Sequence, residues 1–137
     1  MIPQELKYTK EHEWVKIEGD RAVMGISNYA QSQMGDIVYV ELPEVGKQVS
    51  QFEKLGSLES VKTVSDFYAP LSGTVAEVNP FLLDRVNGNE NADFHPEYVN
   101  KDPYGKGWIV KLKDIDTSGL GNLLSAAEYE KHLSLQP

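Results

Sequence analysis

Two turns of the form P-x-x-G, Pro43-Glu44-Val45-Gly46 and Pro70-Leu71-Ser72-Gly73, each lead into β-type residues, at Val49 and Val75. Proline pre-sets φ early in such a turn, and glycine supplies a conformation that a side chain would oppose. The residues around and between these stops favour strands. Ile37–Leu42 (IVYVEL) is β-branched and aromatic and ends at Pro43. Leu55–Val61 and Thr63–Tyr68 approach each other with one lysine, Lys62, between them, and Thr74–Val78 and Trp108–Leu112 follow. Upstream, Trp14–Glu18 and Arg21–Gly25 alternate around Glu18-Gly19-Asp20, a hairpin signal. Many short strands between Gly and Pro turns predict a mainly β fold, a small sandwich or barrel with helices at its edges. The repeated turn fits two halves wrapped around one exposed hairpin whose tip spans 59–66.

Helical signals are few. Ser27 through Met34 reads as a short helix capped by Ser27 and stopped near Gly35. Residues 125–133 (SAAEYEKHL) carry helical spacing, with Ser125 as cap and Glu128 three residues on. Residues 80–98 hold the polar run NGNENAD (Asn87–Asp93), which predicts a surface loop, and NKDPYGKG (Asn100–Gly107) is a further turn cluster. The length of 137 residues suggests one domain, 1–137, with a modest core.

The net charge of −8 argues against nucleic acid as the main partner, because phosphate binding needs clustered Lys and Arg. No apolar run has membrane-spanning length, and the opening MIPQELKYTKEHEW has neither a signal-peptide core nor a transit-peptide bias. A cytoplasmic location with no membrane partner is therefore expected. The chain has no cysteine, which excludes disulfide frameworks, thiolate metal sites and cysteine nucleophiles. Any redox chemistry must be borrowed from outside the sequence.

Among groups of its own, His12 lies between Glu11 and Glu13 and offers a base or a ligand. Strand alternation would send neighbours to opposite faces, however, and His12, His95 and His132 show no metal-ligand spacing. No metal site is expected, and structural or surface roles are assigned to all three. No G-x-S-x-G elbow and no phosphate loop is present. A lysine amine remains as an attachment point for an acyl cofactor. Lys62 suits that role: it sits at a tight turn, with small neighbours Ser57, Ser60, Thr63 and Ser65, and acidic Glu59 and Asp66 on either side. On spacing alone, a solvated hairpin lysine is the more ordinary reading, since exposed lysines are common.

The residues around Lys62 carry a more specific pattern. Glu59-Ser60-Val61-Lys62, continuing through Ser65-Asp66-Phe67-Tyr68-Ala69-Pro70 and Ser72-Gly73, closely resembles the lipoylation segment of the glycine cleavage system H protein family. LKYTKEHEWV (Leu6–Val15), Gly25-Ile26, Ala30-Gln31, Gly35-Asp36, VELPEVG (Val40–Gly46), Val78-Asn79, Val99–Tyr104, Gly107-Trp108 and the closing LLSAAEYEKHL resemble the family's blocks in order. The resemblance implies a barrel-sandwich hybrid of the lipoyl and biotinyl carrier type, and lipoate in amide linkage on Lys62. It implies a non-catalytic carrier that passes an aminomethyl group from a glycine decarboxylase (P protein) to an aminomethyltransferase (T protein), with dihydrolipoamide dehydrogenase (L protein) reoxidising the arm. It further implies modification by a lipoate ligase or an octanoyl/lipoyl transferase, with Gly46, Glu59 and Gly73 serving recognition. Glu13 and Asp66 become the carboxylates of a cleft that shelters the arm, with Glu11 where members often have serine.

Two features depart from the family pattern. Residues 80–98 contain an insertion between the two Val-Asn motifs, and Thr63-Val64 stands where small residues are frequent. An H-like protein that relays lipoate to other enzymes would use the same lysine and is the alternative reading. Biotin carriage is disfavoured by Val61 and Thr63, since that role typically places methionine on both sides of its lysine.

Overall fold

The computed structural model describes residues 2–83 and 93–135. Among these residues, nine strands form two sheets, one of six strands in the order β1-β2-β3-β9-β8-β5 and one of three in the order β4-β6-β7. The strands are β1 (Lys7–Tyr8), β2 (Glu13–Glu18), β3 (Arg21–Ile26), β4 (Ile37–Glu41), β5 (Gln48–Val49), β6 (Lys54–Ser60), β7 (Val64–Tyr68), β8 (Gly73–Val78) and β9 (Val110–Lys113). Both sheets are open, so the expected β fold takes the form of two layers and not of a closed barrel. Inward-facing residues of both layers, including Met24, Val40, Leu58, Phe67, Val75 and Leu112, build the main core. Burial of each such side chain contributes roughly 1.5–3 kcal/mol before chain entropy is counted.

The repeated P-x-x-G turns have a direct structural outcome. The strands that follow them, β5 and β8, pair with each other, Gln48 opposite Thr74 and Val49 opposite Gly73. The Gly46 N–H donates to Val75 O at 2.8 Å, and the Val75 N–H donates to Lys47 O at 2.8 Å. The β2–β3 hairpin turns at Gly19, where φ is +68°. At Gly56 the constraint is space: a Cβ there would lie 2.0 Å from the Glu41 carbonyl oxygen. That absence of a side chain lets β4 and Phe67 close over β6.

Helix α1 (Asn28–Met34) is capped by Ser27, whose hydroxyl accepts from the Ala30 N–H, and ends at Gly35 with φ +79°. Helix α3 (Ala126–Ser134) carries the complete capping box of Ser125 and Glu128. It docks on β1 and β2 through a second cluster, where the Tyr8 and Tyr129 rings stack 4.5 Å apart. Three short elements have no periodic sequence signal: a 3-10 turn at Pro80–Leu82, helix α2 (Tyr98–Lys101) and a 3-10 turn at Thr117–Asn122. The expected strand at Trp108–Leu112 begins two residues later, at Val110, and the β8–β9 register shifts between Val75 and Glu77. Of the expected loop at 80–98, residues 84–92 lie outside the described residues.

Candidate functional site

Val61, Lys62 and Thr63 connect β6 to β7, and all three are exposed. Ser60, only 6% exposed, makes this tip rigid. Its hydroxyl accepts from the Lys62 N–H at 3.2 Å and the Thr63 N–H at 3.1 Å. Its own N–H donates to Thr63 O at 2.8 Å, while the Val61 N–H donates to Asp36 O at 3.1 Å. The chain around Lys62 is therefore held by the Ser60 hydroxyl and by backbone bonds on either side of the lysine. The stem of Lys62 crosses the end of α1, where its Cε lies 3.5 Å from the point a Gly35 Cβ would occupy. Asn100 on α2 holds that end in place. Its amide donates to Gly35 O at 2.8 Å and to Gln31 Oε1 at 3.0 Å, and its carbonyl accepts from the Ile37 N–H at 2.8 Å.

A cleft of about 340 Å³ runs between α1 and β7, with Gln33 and Met34 on one wall and Ser65 and Asp66 on the other. Glu11, His12 and Glu13 reach it from the N-terminal turn. Glu13 and Asp66, paired by the family resemblance, thus meet at one cleft. Their settings differ. Glu13 is 1% exposed. Its carboxylate accepts from the Thr9 hydroxyl and, at 3.2 Å, from the Tyr68 N–H. Burial nonetheless raises its pKa to about 7 against those hydrogen bonds, which pull the other way. Asp66 is exposed and pairs with Lys54 Nζ at 3.4 Å.

The remaining expected residues fall elsewhere. Glu59 lies on the exposed face of β6 opposite Val64, one pair from the tip. Gly46 and Gly73 sit on the other sheet, at the β5–β8 edge. Both have conformational or packing reasons of their own: φ is +95° at Gly46, and a Cβ on Gly73 would lie 2.9 Å from Lys113 O. At His12 the alternation expected of a strand does not hold. The residue precedes β2 in a turn with φ +76°, so His12 and Glu13 reach the same cleft. Its Nδ1 lies 2.8 Å from the Tyr129 hydroxyl, an α3 contact that local sequence does not reveal. Among the described residues, no group of three or more His, Asp or Glu is arranged to hold a metal ion. In the same residues, no helix is long and apolar enough to cross a membrane.

A β domain that presents one lysine from a fixed hairpin tip, beside an acidic cleft, has the layout of a carrier for a covalently attached arm. Comparison with known proteins narrows the class. The family model described as "Glycine cleavage H-protein" matches residues 6–136. The chain is 56% identical to the glycine cleavage system H protein of Geobacillus kaustophilus, across 93% of both chains. It is 53% identical to that of Acinetobacter baumannii, across 96% of this chain and 98% of the relative. The crystal structure of an H protein from Mycobacterium marinum superposes with a TM-score of 0.79 at 38% identity, covering 98% of this chain and 100% of the other. The chain belongs to the glycine cleavage H-protein family.

Proposed function

We infer that the protein is the lipoyl carrier of a glycine cleavage system, a non-catalytic component with its cofactor attached to Lys62. The observation that carries the choice of residue is the tip itself, an exposed amine on a backbone fixed by Ser60. Among the described residues no carboxylate pairs with that amine, so it is available to a modifying enzyme.

The chain fits an acyl arm in two further respects. It has no thiol of its own to exchange with a dithiolane, and the cleft beside the tip combines apolar Ile26, Met34, Leu58 and Phe67 with the carboxylates of Glu11, Glu13 and Asp66. When attached, lipoate supplies reversible disulfide–dithiol chemistry and a thiol to carry the aminomethyl group of glycine. Glu13 and Asp66 supply negative charge where an ammonium group would rest, and the buried position of Glu13 keeps bulk water from its carboxylate. Ser60 orients the tip, and the Asn100 latch positions the surface over which the Lys62 stem lies.

Glycine decarboxylase, aminomethyltransferase and dihydrolipoamide dehydrogenase are the proposed partners, and a lipoate ligase or octanoyl/lipoyl transferase is the proposed modifier. Glu59 is placed within reach of any enzyme that engages the tip, and we assign it to that recognition. Gly46 and Gly73 would act there by shaping the β5–β8 edge. Glycine-dependent carbon dioxide exchange with purified decarboxylase tests the reading. Lys62→Arg is expected to abolish exchange while the folded spectrum is kept, and full exchange by that variant would overturn it. Lipoate transfer from this protein to another acceptor, without glycine-dependent exchange, would favour the relay alternative.

A further inference from the structure

His12 has a role in the cleft that its isolated place in the sequence conceals. Ser27 is fully buried, and its Oγ meets two partners, the Ala30 N–H at 3.2 Å and the Tyr129 hydroxyl at 2.6 Å. Tyr129 in turn meets His12 Nδ1 at 2.8 Å. The direction of this chain follows from counting protons. The Ala30 N–H can only donate, so Ser27 Oγ accepts from it. Were Tyr129 to donate to Ser27 as well, the buried serine proton would have no acceptor, at a cost that proteins avoid. Ser27 therefore donates to Tyr129, Tyr129 donates to His12 Nδ1, and the imidazole proton resides on Nε2.

Among the described residues no protein atom bonds Nε2, and the imidazole lines the cleft. Burial, followed by repulsion from His132, lowers the pKa of His12, which agrees with a neutral ring; Glu11 acts in the opposite direction. The groups facing the ring are Tyr29 from α1, Tyr129 and His132 from α3, and Glu11 and Glu13 from its own segment. The carboxylates in the cleft are acceptors, so a neutral ring that offers a fixed N–H is complementary to a different part of the arm.

Length decides which part. His12 packs against Tyr29, six residues before Gly35, or roughly 9 Å along the helix from the point where the end of the Lys62 stem passes. A lysine stem spans only about 6 Å, whereas a lipoyl-lysine spans about 15 Å counted in single bonds. The amide of the arm falls short of His12 and the sulfur atoms reach it.

We propose that His12, oriented by Ser27 and Tyr129, is a positioning residue that donates its Nε2–H to a sulfur of the lipoyl arm. The inference rests on lipoyl attachment at Lys62. The cleft then holds the end of the arm at two points of opposite character, an N–H for sulfur and carboxylates for cationic cargo. Removing Tyr129 as donor would release the tautomer and blur the first point without touching the second.

Ring nitrogen NMR on the unmodified and lipoylated protein, with iodoacetamide alkylation of the reduced arm followed by mass, provides the test. Nε2 is expected to carry the proton in the unmodified protein, and its resonance is expected to shift on lipoylation. His12→Phe should raise the pH midpoint of alkylation and slow the reaction at pH 7 roughly fivefold, since a hydrogen bond to a thiolate favours the charged form. His12→Gln, which retains a donor, should restore part of that loss, and Tyr129→Phe should give a mixed tautomer. A proton on Nδ1 in the wild-type protein, or an unmoved midpoint in a folded and lipoylated His12→Phe variant, would overturn the proposal alone. Failure of the wild-type chain to gain a lipoyl group at all would overturn the carrier reading with it.

Discussion

Glu13 and Asp66 line the same cleft, yet their surroundings have little in common. Glu13 is 1% exposed and is held by Thr9 and the Tyr68 backbone. The Asp66 side chain is 42% exposed and leans on Lys54. The difference follows from the elements that bear them. The 9–13 turn is clamped between β2, α1 and α3, with the Ser27 N–H donating to His12 O and the Tyr8 ring stacked on Tyr129. The β6–β7 hairpin belongs to a three-stranded sheet in which β7 is an outer strand. One wall is therefore preorganised and poorly hydrated, while the other stays open to solvent and to partners. A carrier needs both: a fixed place to rest the arm, and a tip that enzymes can reach.

The largest expected effect is at the root of the hairpin. Gly56→Ala would drive a Cβ to within 2.0 Å of Glu41 O and force β4 from β6, costing on the order of 3 kcal/mol in chemical denaturation. A loss under 0.5 kcal/mol would show the hairpin wall to be looser than described. Glu13→Gln probes the rigid wall. Because burial raises the folded pKa of Glu13 to about 7 from an ordinary 4.5, protonation favours the folded state. The stabilisation is complete below about pH 4.5 and is lost as the pH rises through about 7. The glutamine variant should match wild type at pH 4.5 and exceed it by about 2 kcal/mol at pH 8. Equal stabilities at both pH values would place Glu13 in water.

Ser60→Ala removes the clamp at the tip and should cost about 1 kcal/mol, with slower lipoylation by a purified ligase as its sharper signature. Unchanged lipoylation kinetics would mean that the modifying enzyme tolerates a loose tip. Asp66→Asn should change stability by less than about 0.5 kcal/mol, because its pair with Lys54 is exposed and screened. A change as large as the one expected of Glu13→Gln at pH 8 would erase the contrast.

The residues that make the strands were legible because they alternate between turn signals. IVYVEL became β4, the residues on either side of Lys62 became β6 and β7, and the twin P-x-x-G turns delivered two strands that pair. Caps were legible for the same local reason, at Ser27 and at Ser125 with Glu128. Lys62 became more than a hairpin lysine only through the family pattern, since spacing cannot distinguish it from a solvated tip. What stayed hidden depends on contacts between distant residues. Ser60 reads as a small neighbour until its hydroxyl is seen under the turn. Asn100 falls in a turn cluster, and its latch reaches Gln31, Gly35 and Ile37. His12 and Tyr129 are 117 positions apart, and the left-handed conformation at His12 suspends the alternation rule used against it.

The attachment at Lys62 is tested most directly by peptide mapping of the protein produced with lipoate and its modifying enzyme present. One lipoyl addition per chain is expected, on the peptide holding Glu59 through Asp66, localised to Lys62 and absent from Lys62→Arg. A lipoyl group on any other lysine, or its persistence in that variant, would rule out Lys62 as the attachment point.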